Sequence, residues 1–158
     1  MIEIKLTTDE LWQAVAVGAS RRIACLFGRK TAQHYDDKNG GEWSTEIESC
    51  CAEIAAAKWM DRYWSGGVFD GSAADADLPG GRQVRHTVYR SGSLIIYPED
   101  DPGHKYLLVT GKAPGYQIVG WAFGHEVQSV GQDHSWWTEP KNKRAPSWWV
   151  PQDKLRPL

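Results

Sequence analysis

The apolar residues of this 158-residue chain change their period once, near residue 65, and that change restricts the fold more than any other feature of the sequence. Before it, hydrophobic side chains recur at the spacing of one helix face; after it, short alternating or apolar runs are cut by Pro and Gly. Thr7-Thr8-Asp9-Glu10 has the form of a capping box, and Leu11, Ala14, Val15, Gly18, Ala19, Ile23 and Leu26 follow at helical spacing, so a helix is expected over 8–26. Gly28 to Gly41 is polar and reads as an exposed loop. A second helix is expected from Ser44, with Ile47, Cys51, Ile54 and Ala55 on one face, to about Tyr63, where Ser65-Gly66-Gly67 stops it. Strands are expected over 82–90, 93–97, 106–110 and 116–123, and the short turns between them favour antiparallel neighbours. The class is α+β, with N-terminal helices packed on a mixed, largely antiparallel sheet. One domain over 1–130 is expected, with 131–158, rich in Trp, Pro and Lys, wrapping it as a tail.

Several function classes fall away on composition. No apolar run approaches the ~20 residues of a membrane span, and the start of the sequence lacks the pattern of a signal peptide, so a cytoplasmic protein is expected. Three cysteines, two of them adjacent, make neither an even disulfide framework nor a metal clip. The five histidines lack zinc-type spacing, and there is no nucleophile elbow or P-loop lysine. A net charge of −2 does not announce nucleic-acid binding, so any such contact must come from local patches. Nine tryptophans, four of them in the pairs Trp136-Trp137 and Trp148-Trp149, are compatible with stacking platforms or with core filling.

The stretch that carries chemistry is Asp77-Leu78-Pro79-Gly80-Gly81-Arg82-Gln83-Val84-Arg85. A Pro-Gly turn would bring Asp77 beside the start of the next strand, where Gln83 and Arg85 share a face and Val84 points the other way. A carboxylate, an amide oxygen and a guanidinium would then converge, and the Val84 carbonyl would add an oxygen for Mg²⁺.

Asp77-x5-Gln83-x-Arg85, preceded by Glu53 in Cys51-Ala52-Glu53-Ile54-Ala55, resembles the PD-(D/E)XK nuclease superfamily, and is most similar to small phage-type members. The resemblance covers about residues 44–124, and the closing Val150-Pro151-Gln152 segment through Pro157 is also similar to phage-type sequences. It implies a restriction-endonuclease-like core of helix and mixed sheet, Mg²⁺ or Mn²⁺ as cofactor, and hydrolysis of DNA. Asp77 would match the metal-binding aspartate, Gln83 the second acidic position, Arg85 the lysine and Glu53 the helix glutamate. Two of these depart from the common pattern: Gln83 removes a negative charge, and Arg85 stays protonated, so it stabilises charge but abstracts no proton. Glu46, seven residues before Glu53, is a substitute on the same helix face. Asp70 and Asp75 are alternatives to Asp77 without its spacing.

Plainer readings stand beside these. Asp77 would serve as a turn residue, Gln83 and Arg85 as solvated strand residues, Glu53 as a solvated helix residue, and Glu99-Asp100-Asp101 as a solvated turn. For DNA contact the candidates are Arg82 and Arg90 near the site, Lys141, Lys143 and Arg144 in the tail, and Arg21, Arg22, Arg29 and Lys30 near the first helix, where Arg21 and Arg22 would otherwise snorkel. The same fold with a decayed metal site, binding nucleic acid or a phage or host protein, is the first alternative, and a Trp-rich interaction module is the second. A nuclease encoded by a phage would act in the host cytoplasm, and one cutting both strands would have to form a homodimer.

Overall fold

The structure is a computed structural model and describes residues 1–27, 41–68, 76–139 and 145–158, with backbone alone at 41 and 42. It opens on a short strand, β1 (Ile2–Lys5), absent from the sequence-based expectation. Helix α1 (Thr8–Leu26) starts where its capping box requires: Thr7 Oγ1 accepts from the Glu10 N–H and Glu10 Oε2 accepts from the Thr7 N–H at 2.6 Å. Helix α2 (Gly41–Trp59) begins three residues before the expected Ser44. Then come β2 (Arg82–Thr87), β3 (Leu94–Ile96), β4 (Lys105–Lys112), β5 (Gly115–Phe123), the one-turn helix α3 (Gly124–Gln128), β6 (Trp137–Thr138) and β7 (Ser147–Val150). The class is α+β with helices and a mixed sheet.

Two sheets result. The first has strand order β1-β5-β4-β2, with β4 and β5 forming an antiparallel hairpin, β1 antiparallel to β5, and β2 parallel to β4. The second has order β3-β7-β6, antiparallel throughout. The expectation that consecutive strands pair therefore holds for β4–β5 and fails for β2–β3, because β3 leaves the first sheet to pair with β7 across more than fifty residues of sequence. Two of the strands in the 131–158 segment, β6 and β7, supply most of that second sheet.

The order of layers follows from the central strand. In β4, Leu107 and Val109 enter one core with the helices, while Tyr106 and Leu108 enter another with Leu94, Ile96, Trp148 and Val150 of the second sheet. A strand buried on both faces reads as a continuous apolar run, which is what Tyr106 to Val109 shows. Helix α2 lies between α1 and the sheet and is buried all round from Cys50 to Ala57. Small side chains make that possible. At Gly18 a Cβ would stand 2.7 Å from the Ile47 Cα, so the two helices cross backbone against backbone there. Among the described residues no helix is long and apolar enough to cross a membrane.

Candidate functional site

The turn before β2 forms as its residues require. Gly80 and Gly81 both take positive φ, 80° and 67°, which side chains with a Cβ rarely adopt. The reversal pairs Leu78 with Arg82 through two backbone hydrogen bonds, 3.0 and 3.4 Å, along the edge of β2 that β4 leaves open. Asp77, next to Leu78, then receives the Val84 N–H on Oδ2 at 2.8 Å. The N–H and C=O of one extended residue point the same way, so the Val84 carbonyl lies on this open edge too.

Glu53 approaches from the helix layer. Enclosed by small neighbours on α2, it is only 5% exposed, and its carboxylate is held by Arg21 of α1 at 2.6 and 3.0 Å and by the Trp64 indole N–H at 2.8 Å. Arg21 completes its set by donating to the Gly67 carbonyl at 2.9 Å. The sequence marked Arg21 as a DNA contact or a snorkelling residue; it is turned inward, onto Glu53. Burial, with Glu53 nearby, pushes the Asp77 carboxyl up to about 7, against the opposing pull of the Val84 N–H, Arg85 and Arg21.

Arg85 comes from the other side of the sheet. In a parallel pair, residues in register share a face: Val84 lies beside Leu107 of the helix-side core, and Gln83 and Arg85 lie beside Tyr106 and Leu108 of the second core. Arg85 accordingly packs its guanidinium over the Tyr106 ring, 5.1 Å from its centroid, and donates to Asp100 at 2.5 Å. Burial works against its charge and Asp100 more than offsets that. Its Nε is a buried donor without a hydrogen-bond partner among the described residues. Asp100 is fixed in turn by the Tyr97 N–H, and Gln128 of α3 holds the Tyr97 and Asp100 carbonyls. Asp100, expected in a solvated turn, is thus the counter-ion of Arg85.

The expected convergence is therefore only partly met. Glu53 and Arg21 meet on the helix side, and their charges, with that of Arg85 from the far face, act on Asp77. Gln83, on the face opposite the helix layer, does not join Glu53. No family model, curated protein or solved structure matches the chain. Asp77 opens on a cleft of about 1030 Å³ that is also lined by Arg62, Tyr63, Ser65 and Arg82, with Pro79 to Gly81 at its rim. Arg62 and Tyr63 escaped the sequence reading, since nothing in their spacing sets them apart from a solvated helix end.

The remaining candidates lie elsewhere. Arg90 pairs with Glu3 at 3.7 Å, beyond the end of β2 remote from Asp77. Glu46 is half-buried on α2, nearly two turns before Glu53. Lys141, Lys143, Arg144, Arg29, Lys30, Asp70, Asp75 and most of the 28–41 loop lie outside the described residues. Trp136, Trp137 and Trp148 pack in or against the second core. Among the described residues no cluster of three or more His, Cys, Asp or Glu side chains is placed to share a metal ion.

Proposed function

We propose that the chain hydrolyses DNA phosphodiester bonds with the help of a divalent cation, as a PD-(D/E)XK-type nuclease. The observation that carries this reading is the Asp77 carboxyl, held by the Val84 N–H on the wall of an arginine-lined cleft, where burial and Glu53 push its pKa up. Two carboxylates so placed repel one another until a proton or a cation relieves them. Among the buried groups, three carboxylates (Asp77, Glu53, Asp100) stand against two guanidiniums (Arg21, Arg85), and the further charges of Arg62 and Arg82 lie in the open cleft outside them.

The donor chemistry fits Mg²⁺ or Mn²⁺ in kind. Magnesium takes hard oxygens, commonly one or two carboxylates, with water and phosphate oxygens in the other positions. Asp77 and the Val84 carbonyl would hold the ion, with Glu53 as the second carboxylate; Gln83 drops out of the set. When bound, such an ion supplies Lewis-acid polarisation of the scissile phosphate.

The chain's own groups supply the rest. Arg62 and Arg82 offer guanidiniums to flanking phosphates, and Tyr63, 85% exposed, offers a ring on which a base can stack. Arg85, buried on the far face, adds positive charge near Asp77 as the scissile group gains negative charge. Asp77 itself holds or releases a proton near neutrality.

One set of contacts favours a second reading, a nucleic-acid-binding relative without catalysis. Both Glu53 oxygens are already engaged by Arg21 and Trp64, and Arg85 is committed to Asp100. Calorimetry with Mn²⁺ at pH 8, followed by cleavage assays on plasmid and single-stranded DNA, separates the two. Metal uptake and cleavage that both vanish in Asp77→Ala support the nuclease. DNA affinity without metal uptake or cleavage supports the second reading, and the absence of all three refutes both.

A further inference from the structure

Helix α1 turns one face to α2, where Ala14, Gly18 and Ala24 are buried, and leaves the opposite face uncovered among the described residues. That opposite face is apolar from end to end. Trp12, Val15, Ala16, Ala19, Ile23, Leu26 and Phe27 fall within a stripe about 120° wide at 100° per residue, and it contains no charged side chain between Trp12 and Phe27. Trp12 is 70% exposed, Leu26 58% and Phe27 77%. Such a surface costs solubility unless something covers it.

The order of residues along the stripe identifies the cover. A two-fold contact requires that when residue i of one chain meets residue j of the other, j also meets i. About Ala19 the centre of the stripe satisfies this: Val15 mirrors Ile23 and Trp12 mirrors Leu26, while on the flank Phe27 lies across from Leu11, which packs against the helix-side core, and Ala16 across from Arg22. The smallest side chain sits at the centre, where two crossing helices come closest. Val15, Ala19 and Ile23 also form an i±4 ridge, the kind that packs into the same ridge of a second helix at a crossing near −50°.

The area is of the right order. With about 200 Å² for a fully exposed large aromatic, Trp12 and Phe27 offer roughly 300 Å², and their aliphatic neighbours about 200 Å² more. Two copies would bury about 1000 Å², the lower bound for a specific interface. The antiparallel arrangement also sets the acidic first turn, Asp9 and Glu10, toward the opposite end of the neighbouring helix, with opposed helix dipoles.

We infer that α1 is the self-association surface of a two-fold homodimer, its occupant a second copy of α1 crossing at Ala19. Val15 then meets the partner's Ile23, and Trp12 meets the partner's Leu26. The contact is independent of what the cleft binds.

Gel filtration with light scattering at about 100 μM chain tests it, with circular dichroism checking that each variant is folded. Wild type is expected at twice the 17.7 kDa chain mass. Val15→Glu and Ile23→Lys are each expected to be monomeric, since each places a charge in an apolar contact. The double variant is expected to dimerise again, because the two-fold sets each new acid against a new base. Mixing the two single variants is expected to give a heterodimer for the same reason. Monomeric wild type overturns the inference, as do single variants that remain dimeric or a folded double variant that stays monomeric. Monomeric wild type that floats with anionic phospholipid vesicles overturns it too, and assigns the stripe to a lipid surface instead.

Discussion

Replacing Asp77 by asparagine removes a charge that the fold resists and keeps the acceptor that the fold uses. The amide oxygen still receives the Val84 N–H, which Asp77 Oδ2 takes at 2.8 Å. The Asp77 carboxyl is raised to about 7 in the folded chain, against about 3.9 in the unfolded one, so the folded protein binds the extra proton between those values. Stability therefore falls as pH rises from about 4 to about 7 and is level above that, as far as this group is concerned. From pH 5 to pH 8 the wild type should lose about 2–3 kcal/mol relative to Asp77→Asn, or roughly 5–10 °C in Tm for a chain of this size. Urea unfolding followed by tryptophan fluorescence at pH 5, 6, 7 and 8, without divalent cations, gives the difference directly. His86, whose pKa burial lowers, titrates in both proteins and cancels in the comparison. Equal pH slopes for the two proteins would refute the account of Asp77 and, with it, the buried negative charge on which the proposed cation site rests.

Three further outcomes follow from the same coordinates. Arg21→Ala strands the buried Glu53 carboxylate and should cost about 3–5 kcal/mol in urea unfolding, whereas a double change to Met at 21 and Leu at 53 should recover most of it; no recovery would mean that the pair is more than a mutual neutralisation. Gly18→Ala gains about 1 kcal/mol of helix propensity, yet its Cβ would stand 2.7 Å from the Ile47 Cα, so the net effect should be a loss of stability; a raised Tm would show that the helices separate freely. If the cleft binds DNA, Arg62→Ala should weaken binding evenly across sequences and reduce the slope of log K against log salt by about 1, and an unchanged slope would remove Arg62 from the contact.

The sequence is most informative where local chemistry decides. The bounds of α1 follow from its capping box and apolar period, and the turn at Leu78 to Gly81 follows from two glycines that only a positive φ makes useful. Local chemistry cannot report what encloses an element. Glu53 among alanines reads as solvated, because the small residues that suit an exposed helix are also those that let α2 be packed on every side. Nor does it report pairing between distant segments. β3 and β7 are each short, their union depends on a connection through about a third of the chain, and Ser147 to Val150 has no period of its own. The same blindness hid Asp100, whose partner Arg85 is brought to it by the parallel alignment of β2 with β4. Met1 to Leu6 does show the alternation of a strand, and its four paired residues are too few to stand out.

The parallel alignment of β2 with β4 also sets an order of assembly. The crossover between these strands carries β3, whose hydrogen-bonding partner is made more than fifty residues later in the chain. On the ribosome, the helices and the first sheet can assemble while β3 still waits with both edges unpaired. Closure by β7 buries Trp148 and Val150 against Leu94 and Ile96, completing the layer that borders the loop carrying Asp100. A nascent chain halted before residue 147 would thus have its two helices and its cleft, but would lack the strand that completes the core to which Tyr106, beneath Arg85, belongs.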